Sequence, residues 1–228
     1  MNLLSILIQV TNTTINSPEA EEMRLSRWEL AKEGGWIMLV LAILSVIAIY
    51  IFVERFITIN RASKKDDEFM NSIRNYMIEG RLDDARQLCK QKGNPISRMI
   101  EKGISRIGKP LNDIQTAIEN VGNLEVSKLE KGVALIGMIS GAAPMLGFLG
   151  TVTGMIRAFY DMSMAGNNID IELLSAGIYE AMVTTVGGLI VGIIAFILYN
   201  ILVSKIDNIV NLLESKSIEF MDVLNEPV

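Results

Sequence analysis

One carboxylate, Glu180, stands at the edge of a long uncharged apolar run, with Thr184 and Thr185 just beyond it. Facing lipid at mid-bilayer depth, such a group costs about 2–3 kcal/mol. It should therefore face protein or water, where it could hold a proton or a cation. A second apolar run supplies Thr151 and Thr153. Threonine in a membrane helix often only bonds the carbonyl one turn back. Thr184, however, is one helical turn beyond Glu180 and shares its face, and Gly177 and Gly187 extend that small, polar stripe. Two readings stay open: Glu180 lines a polar cavity, or it caps the outer helix end against the positive end of the dipole.

Composition removes many alternatives. The chain has 228 residues, 50% of them hydrophobic and 6% aromatic, with no histidine and a single cysteine, Cys89. A Cys/His zinc site, a Ser-His-Asp triad and an internal disulfide are thereby excluded. Neither an enzyme nor a resident metal or cofactor is indicated. The formal net charge of −5 includes no basic stripe of the kind nucleic acid would require.

The elements that must position Glu180 come from three charge-free windows, 34–53, 132–156 and 181–204, of 20, 25 and 24 residues. Each is long enough for a helix to cross a hydrocarbon core, which takes about 20 residues. Arg55, Arg61, Lys64 and Lys65 follow the first, Lys128 and Lys131 precede the second, and Lys205 follows the third, whereas 157–179 holds only Arg157. This bias predicts an outer N-terminus and an inner C-terminus. The expected division is an outer segment 1–33, spans 34–53, 132–156 and 176–204, an inner helical domain 54–131, an outer loop with the start of the third helix 157–175, and an inner tail 205–228. Residues 1–10 read either as the apolar part of a cleaved signal peptide or as an amphipathic helix on the outer surface.

The inner segment is helical throughout by its apolar spacing. Phe69, Ile73, Tyr76 and Met77 share one face before Gly80, and Leu82, Ala85, Leu88 and Cys89 share another before Gly93. A third run covers 96–107, and 111–131 reads as a longer helix entering the second span directly. No period-two pattern predicts a sheet. The fold class is therefore all-α, a polytopic membrane protein with three transmembrane helices, the second and third extended into a helical cytoplasmic domain. In the tail, Ile206, Ile209, Leu213, Phe220 and Leu224 form a stripe that packs either on its own inner domain or between subunits. Within the spans, Gly137 and Gly141, Gly150 and Gly154, and Gly188 and Gly192 are each four apart, with Gly147 between the first two pairs. Such spacing lets helix backbones approach closely. Pro144 leaves the Ser140 carbonyl unpaired and predicts a bend.

Two stretches then resemble a known family. G-A-A-P-M-L-G-F-L-G-T-V-T-G-M at 141–155 and G-I-Y-E-A-M-V-T-T-V-G-G-L at 177–189 are similar to the paired signatures of the MotA/TolQ/ExbB proton channels, and E-R-F after the first span is similar as well. Three spans with an outer N-terminus fit ExbB and TolQ better than the four-span MotA. One departure is Ile194, where these proteins often carry proline. The resemblance implies an inner-membrane homopentamer around two copies of a single-span ExbD-like or TolR-like partner that brings an aspartate into the pore, with force passed to a TonB-like protein. It implies that Glu180, Thr151 and Thr185 line the ion pathway, and helix geometry adds Thr184. ExbB and TolQ roles, and proton and sodium, stay open at this point, as does a non-conducting scaffold.

Overall fold

A computed structural model describes residues 35–62, 67–164 and 171–225. The expectations for 1–33, and for Lys64 and Lys65, lie outside the described residues. Seven helices occur among those described: α1 (Gly35–Ala62), α2 (Asp67–Ile78), α3 (Leu82–Lys92), α4 (Pro95–Ile104), α5 (Leu111–Glu130), α6 (Val133–Met164) and α7 (Ile171–Asn225), with no strand between them. Three of these, α1, α6 and α7, are long and apolar enough to cross a membrane. Their outward faces carry Tyr50, Met138, Met145, Phe148, Phe196 and many aliphatic side chains in the open. A water-soluble domain rarely exposes so continuous an apolar surface, and the chain is an all-α polytopic membrane protein.

The helices outrun the charge-free windows that announced them. α1 continues nine residues past Val53, α6 continues eight past Ile156, and α7 is one 55-residue rod, about 80 Å long at 1.5 Å per residue. The loop expected at 157–175 contracts accordingly, because α6 reaches Met164 and α7 begins at Ile171. Charge ends an apolar window but not a helix, since arginine and lysine are good helix formers. A second difference lies at the entry to α6. The helix expected to run straight from 111 into the second span ends at Glu130, and Gly132, at φ +84°, turns the chain into α6. Only glycine adopts that conformation without strain.

α6 and α7 form an antiparallel hairpin of constant register. Going down α6, Ala158 faces Gly177, Gly154 faces Ala181, Gly150 faces Thr184, Gly147 faces Gly188, Pro144 faces Gly192 and Gly137 faces Tyr199. The seam advances by three or four residues at each of the first four steps and by seven, two turns, at the last. α1 lies across both helices, burying Ile37 and Leu41 near Ala143, and Met38 against Gly187.

α2, α4 and α5 pack against the lower half of α7, and α3 packs on α2 and α4. Phe69, Met70, Ile73, Cys89, Met99, Ile100 and Ile118 share one core with Ile206, Ile209, Leu213 and Phe220. Of the two homes foreseen for the tail stripe, these four residues take the one on their own domain. Phe220 has no exposed surface and its ring lies over Gly103, where a β-carbon would meet it at 2.6 Å. Local signals set the short helices. Gly93 closes α3 in the left-handed region at φ 58°, and the Ser97 N–H donates to Asn94 Oδ1 at 2.7 Å, with Pro95 opening α4.

Candidate functional site

α7 begins nine residues before Glu180, so the carboxylate lies roughly 13 Å along the helix from its start. That is too deep to cap its own helix, because the dipole effect fades within the first turn. Glu180 instead faces the beginning of α1. A β-carbon at Gly35, whose φ is +60°, would lie 3.2 Å from Glu180 Oε1. Glu180 is half-buried in a cleft of about 210 Å³ lined by Gly35, Trp36, Thr153, Arg157 and Thr184 among others. The cleft joins α1, α6 and α7 of a single subunit. Arg157 pairs with Asp161 at 4.0 Å, which places a cation and two acids around the same end of the bundle.

The four residues proposed for an ion pathway divide into two pairs. Glu180 and Thr184 share the α1-facing cleft, but Thr184 is only 3% exposed. Its hydroxyl donates to the Ala181 carbonyl at 2.7 Å, with the Gly147 carbonyl at 3.3 Å across the hairpin. Thr184 is thus wedged over Gly150 in the seam, where sequence spacing had placed it on an open wall. Thr151 and Thr185 meet at the next face, their hydroxyl oxygens 3.4 Å apart. Thr151 donates to the Phe148 carbonyl at 2.6 Å and Thr185 to the Gly147 carbonyl at 3.1 Å. Both remain half-exposed. Thr153 keeps to the turn before it, with the Leu149 carbonyl at 2.9 Å.

The glycines explain why these side chains come so close. A β-carbon at Gly188 would fall 2.6 Å from the Ala143 carbonyl oxygen and 2.8 Å from Gly147 Cα; at Gly154 it would meet Ala181 at 2.9 Å, and at Gly192 it would meet Pro144 at 2.5 Å. Gly150 is covered by Thr184, and Gly137 by the Tyr199 ring. Gly141 requires a correction, since a β-carbon there would meet nothing within 4 Å and the residue is exposed. The seam runs 137, 140, 144, 147, so residue 141 falls one step off it. α6 stays helical through Pro144, and the Ser140 carbonyl that the proline leaves unpaired lies 3.1 Å from where a β-carbon at Gly192 would sit.

Sequence reasoning passed over Arg157 and the α1 start as neighbours of Glu180 in its cleft. Arg157 had a usable signal, because it continues the helix face of Gly150 and Gly154. The approach of Gly35 had none, since nothing in one helix tells which neighbour it meets.

Comparison with known proteins adds a separate line. The family model described as "MotA/TolQ/ExbB proton channel family" matches residues 91–215. A biopolymer transport ExbB homolog of Methanothermobacter thermautotrophicus is 27% identical over 187 residues, covering 82% of this chain and 66% of the relative. A biopolymer transport ExbB-like protein of Synechocystis is 30% identical over 175 residues, covering 75% and 68%. The Tol-Pal system protein TolQ of Haemophilus influenzae is 32% identical over 87 residues, 38% of each chain. The chain thus spans about two thirds of the length of the first two relatives.

Proposed function

Given that the chain belongs to the MotA/TolQ/ExbB proton channel family, we propose that it is an ExbB-type subunit of an ion-driven motor in a bacterial inner membrane. Five copies surround two copies of a single-span ExbD-like or TolR-like protein. Proton flow through this assembly energises a TonB-like protein and, through it, outer-membrane transport. α1, α6 and α7 each cross once, with the N-terminus outside and residues 54–131 and 205–228 inside, a reading supported by the bias of basic residues at the span ends.

The observation that carries the reading is the company Glu180 keeps. A carboxylate deep in an apolar hairpin lies in a polar cleft with Thr153 and Arg157, and the half-exposed Thr151–Thr185 pair sits about one turn further along. A partner's carboxyl meeting these groups alternates between a neutral form suited to lipid and a charged form suited to the cleft. One charge crossing 100 mV releases about 2.3 kcal/mol, enough to bias a step between equivalent subunits. Thr184 serves this pathway from behind, by holding the hairpin at the level of Glu180.

The ExbB role is preferred to the TolQ role because the relatives that align over most of this chain carry the ExbB name, whereas TolQ aligns over 38% of it. The test is co-expression with the single-span partner, weighing of the intact assembly, and reconstitution into vesicles. Five copies with two, and a proton flux cut at least tenfold by Glu180→Gln, are expected. An assembly of one or two copies, or a flux unchanged by Glu180→Ala at normal expression, overturns the proposal and leaves a membrane scaffold in its place.

A further inference from the structure

A second polar cavity lies at the opposite end of the bundle from Glu180. Its volume is about 390 Å³, and its walls include Thr58 and Arg61 of α1, Lys92 of α3, Arg98 of α4 and Lys128 of α5. Four cations therefore converge on one hollow. Among the described residues of its wall Glu125 is the one carboxylate; it lies 2.6 Å from Lys128 and 3.5 Å from Arg98 and is itself buried. Arg98 also donates to the Gly93 carbonyl at 2.9 Å, so the cationic wall is held in place. Gly93, Asn94 and Pro95 bring the start of α4 to the same rim, and its dipole adds to the positive field.

The cavity lies just beyond the apolar windows, on the side where the basic residues of the spans gather. Arg61 is eight residues beyond Val53, the last of the first charge-free window. Its neighbour Asn60 accepts a hydrogen bond from Lys205 at 2.9 Å, and Lys205 is the first residue after the third window. Arg55 donates to the Lys128 carbonyl at 3.0 Å just ahead of α6. Three spans thus place their basic ends at one level. Above the cavity, Val46, Tyr50, Val53 and Ile57 are exposed on α1 at steps of three and four, and Arg61 continues the same stripe. An apolar track leads directly to a cationic pocket.

We propose that this cavity binds the phosphate of an anionic phospholipid from the leaflet facing the helical domain, with its acyl chains along the α1 stripe. Basic pockets beside membrane helices favour such headgroups. A soluble phosphate compound would satisfy the cations but not the track, and a zwitterionic lipid would satisfy the track with less charge. The test is titration of the full chain in detergent with phosphatidylglycerol, read by native mass spectrometry. Phosphatidylglycerol is expected to bind in preference to phosphatidylcholine, and excess inorganic phosphate is expected not to displace it. R61Q should weaken binding about fivefold, from the loss of one surface charge. The charge-preserving R61K should retain it, and K109Q, which removes an exposed charge outside the cavity, should leave it unchanged. Equal binding by R61Q and the wild type, equal losses in R61Q and K109Q, or displacement by inorganic phosphate would each overturn the assignment. Far-UV circular dichroism of each variant separates loss of the site from loss of the fold.

Discussion

The tightest point of the α6–α7 hairpin gives the most direct test of the packing that aligns the candidate site. In Gly188→Ala the new methyl would lie 2.6 Å from the Ala143 carbonyl oxygen, whereas ordinary contact begins at 3.4 Å. The helices must part by the 0.8 Å difference between those distances, because the obstacle is backbone and cannot rotate away. The same step takes the Thr185 hydroxyl out of reach of the Gly147 carbonyl, now at 3.1 Å. Overpacking of this kind costs about 1–3 kcal/mol, and an interhelical hydrogen bond in a membrane adds about 0.6 kcal/mol. Gly141→Ala is the matched control. It gains the same helix propensity but meets nothing within 4 Å. The two variants should therefore differ by about 2–3 kcal/mol in stability. The assay is equilibrium unfolding of the full chain in mixed detergent micelles, followed by far-UV circular dichroism. Equal midpoints for the two variants, or a lower midpoint for Gly141→Ala, would refute the register assigned to the hairpin.

In the helical domain, Phe220→Ala empties the space over Gly103 and Ile118 and should cost about 3–5 kcal/mol in the same assay. Asn94→Ala removes the acceptor for the Ser97 N–H and should cost about 1 kcal/mol, with the loss confined to the amide-exchange protection of α4. Burial, reinforced by Glu101, pushes the Cys89 thiol up from 9.0 to about 12. A maleimide should leave native protein unlabelled at pH 8 and label it fully after denaturation. Because the folded state holds this proton more tightly, stability should fall as pH rises from 9.0 toward about 12, and Cys89→Ala should remove that part of the slope.

How much of this was legible in the sequence depends on whether a feature belongs to one helix or to a pair. The three long apolar helices were legible because twenty uncharged residues admit few other fates. The short helices were legible from punctuation, with Gly93-Asn94-Pro95 ending one and opening the next. The turn at Gly132 was not, because a lone glycine inside a helical pattern is usually tolerated and only its φ of +84° marks the break. The glycine spacing was legible as close packing but not as a particular seam. Gly137 and Gly141 have the same spacing as Gly188 and Gly192, yet only the crossing of α6 with α7 selects 137 and excludes 141. The candidate site divides in the same way. Periodicity within α7 aligned Glu180 with Thr184, and the structure keeps them in one cleft. It could not reveal that α1 closes that cleft, or that Thr185 turns from Glu180 toward Thr151. A residue's face follows from its own helix, but what that face meets follows from the neighbour. The chemistry of Glu180 therefore depends on α1 as much as on the two helices that carry the family's motifs, and changes at Gly35 or Trp36 should alter proton flux without touching either motif.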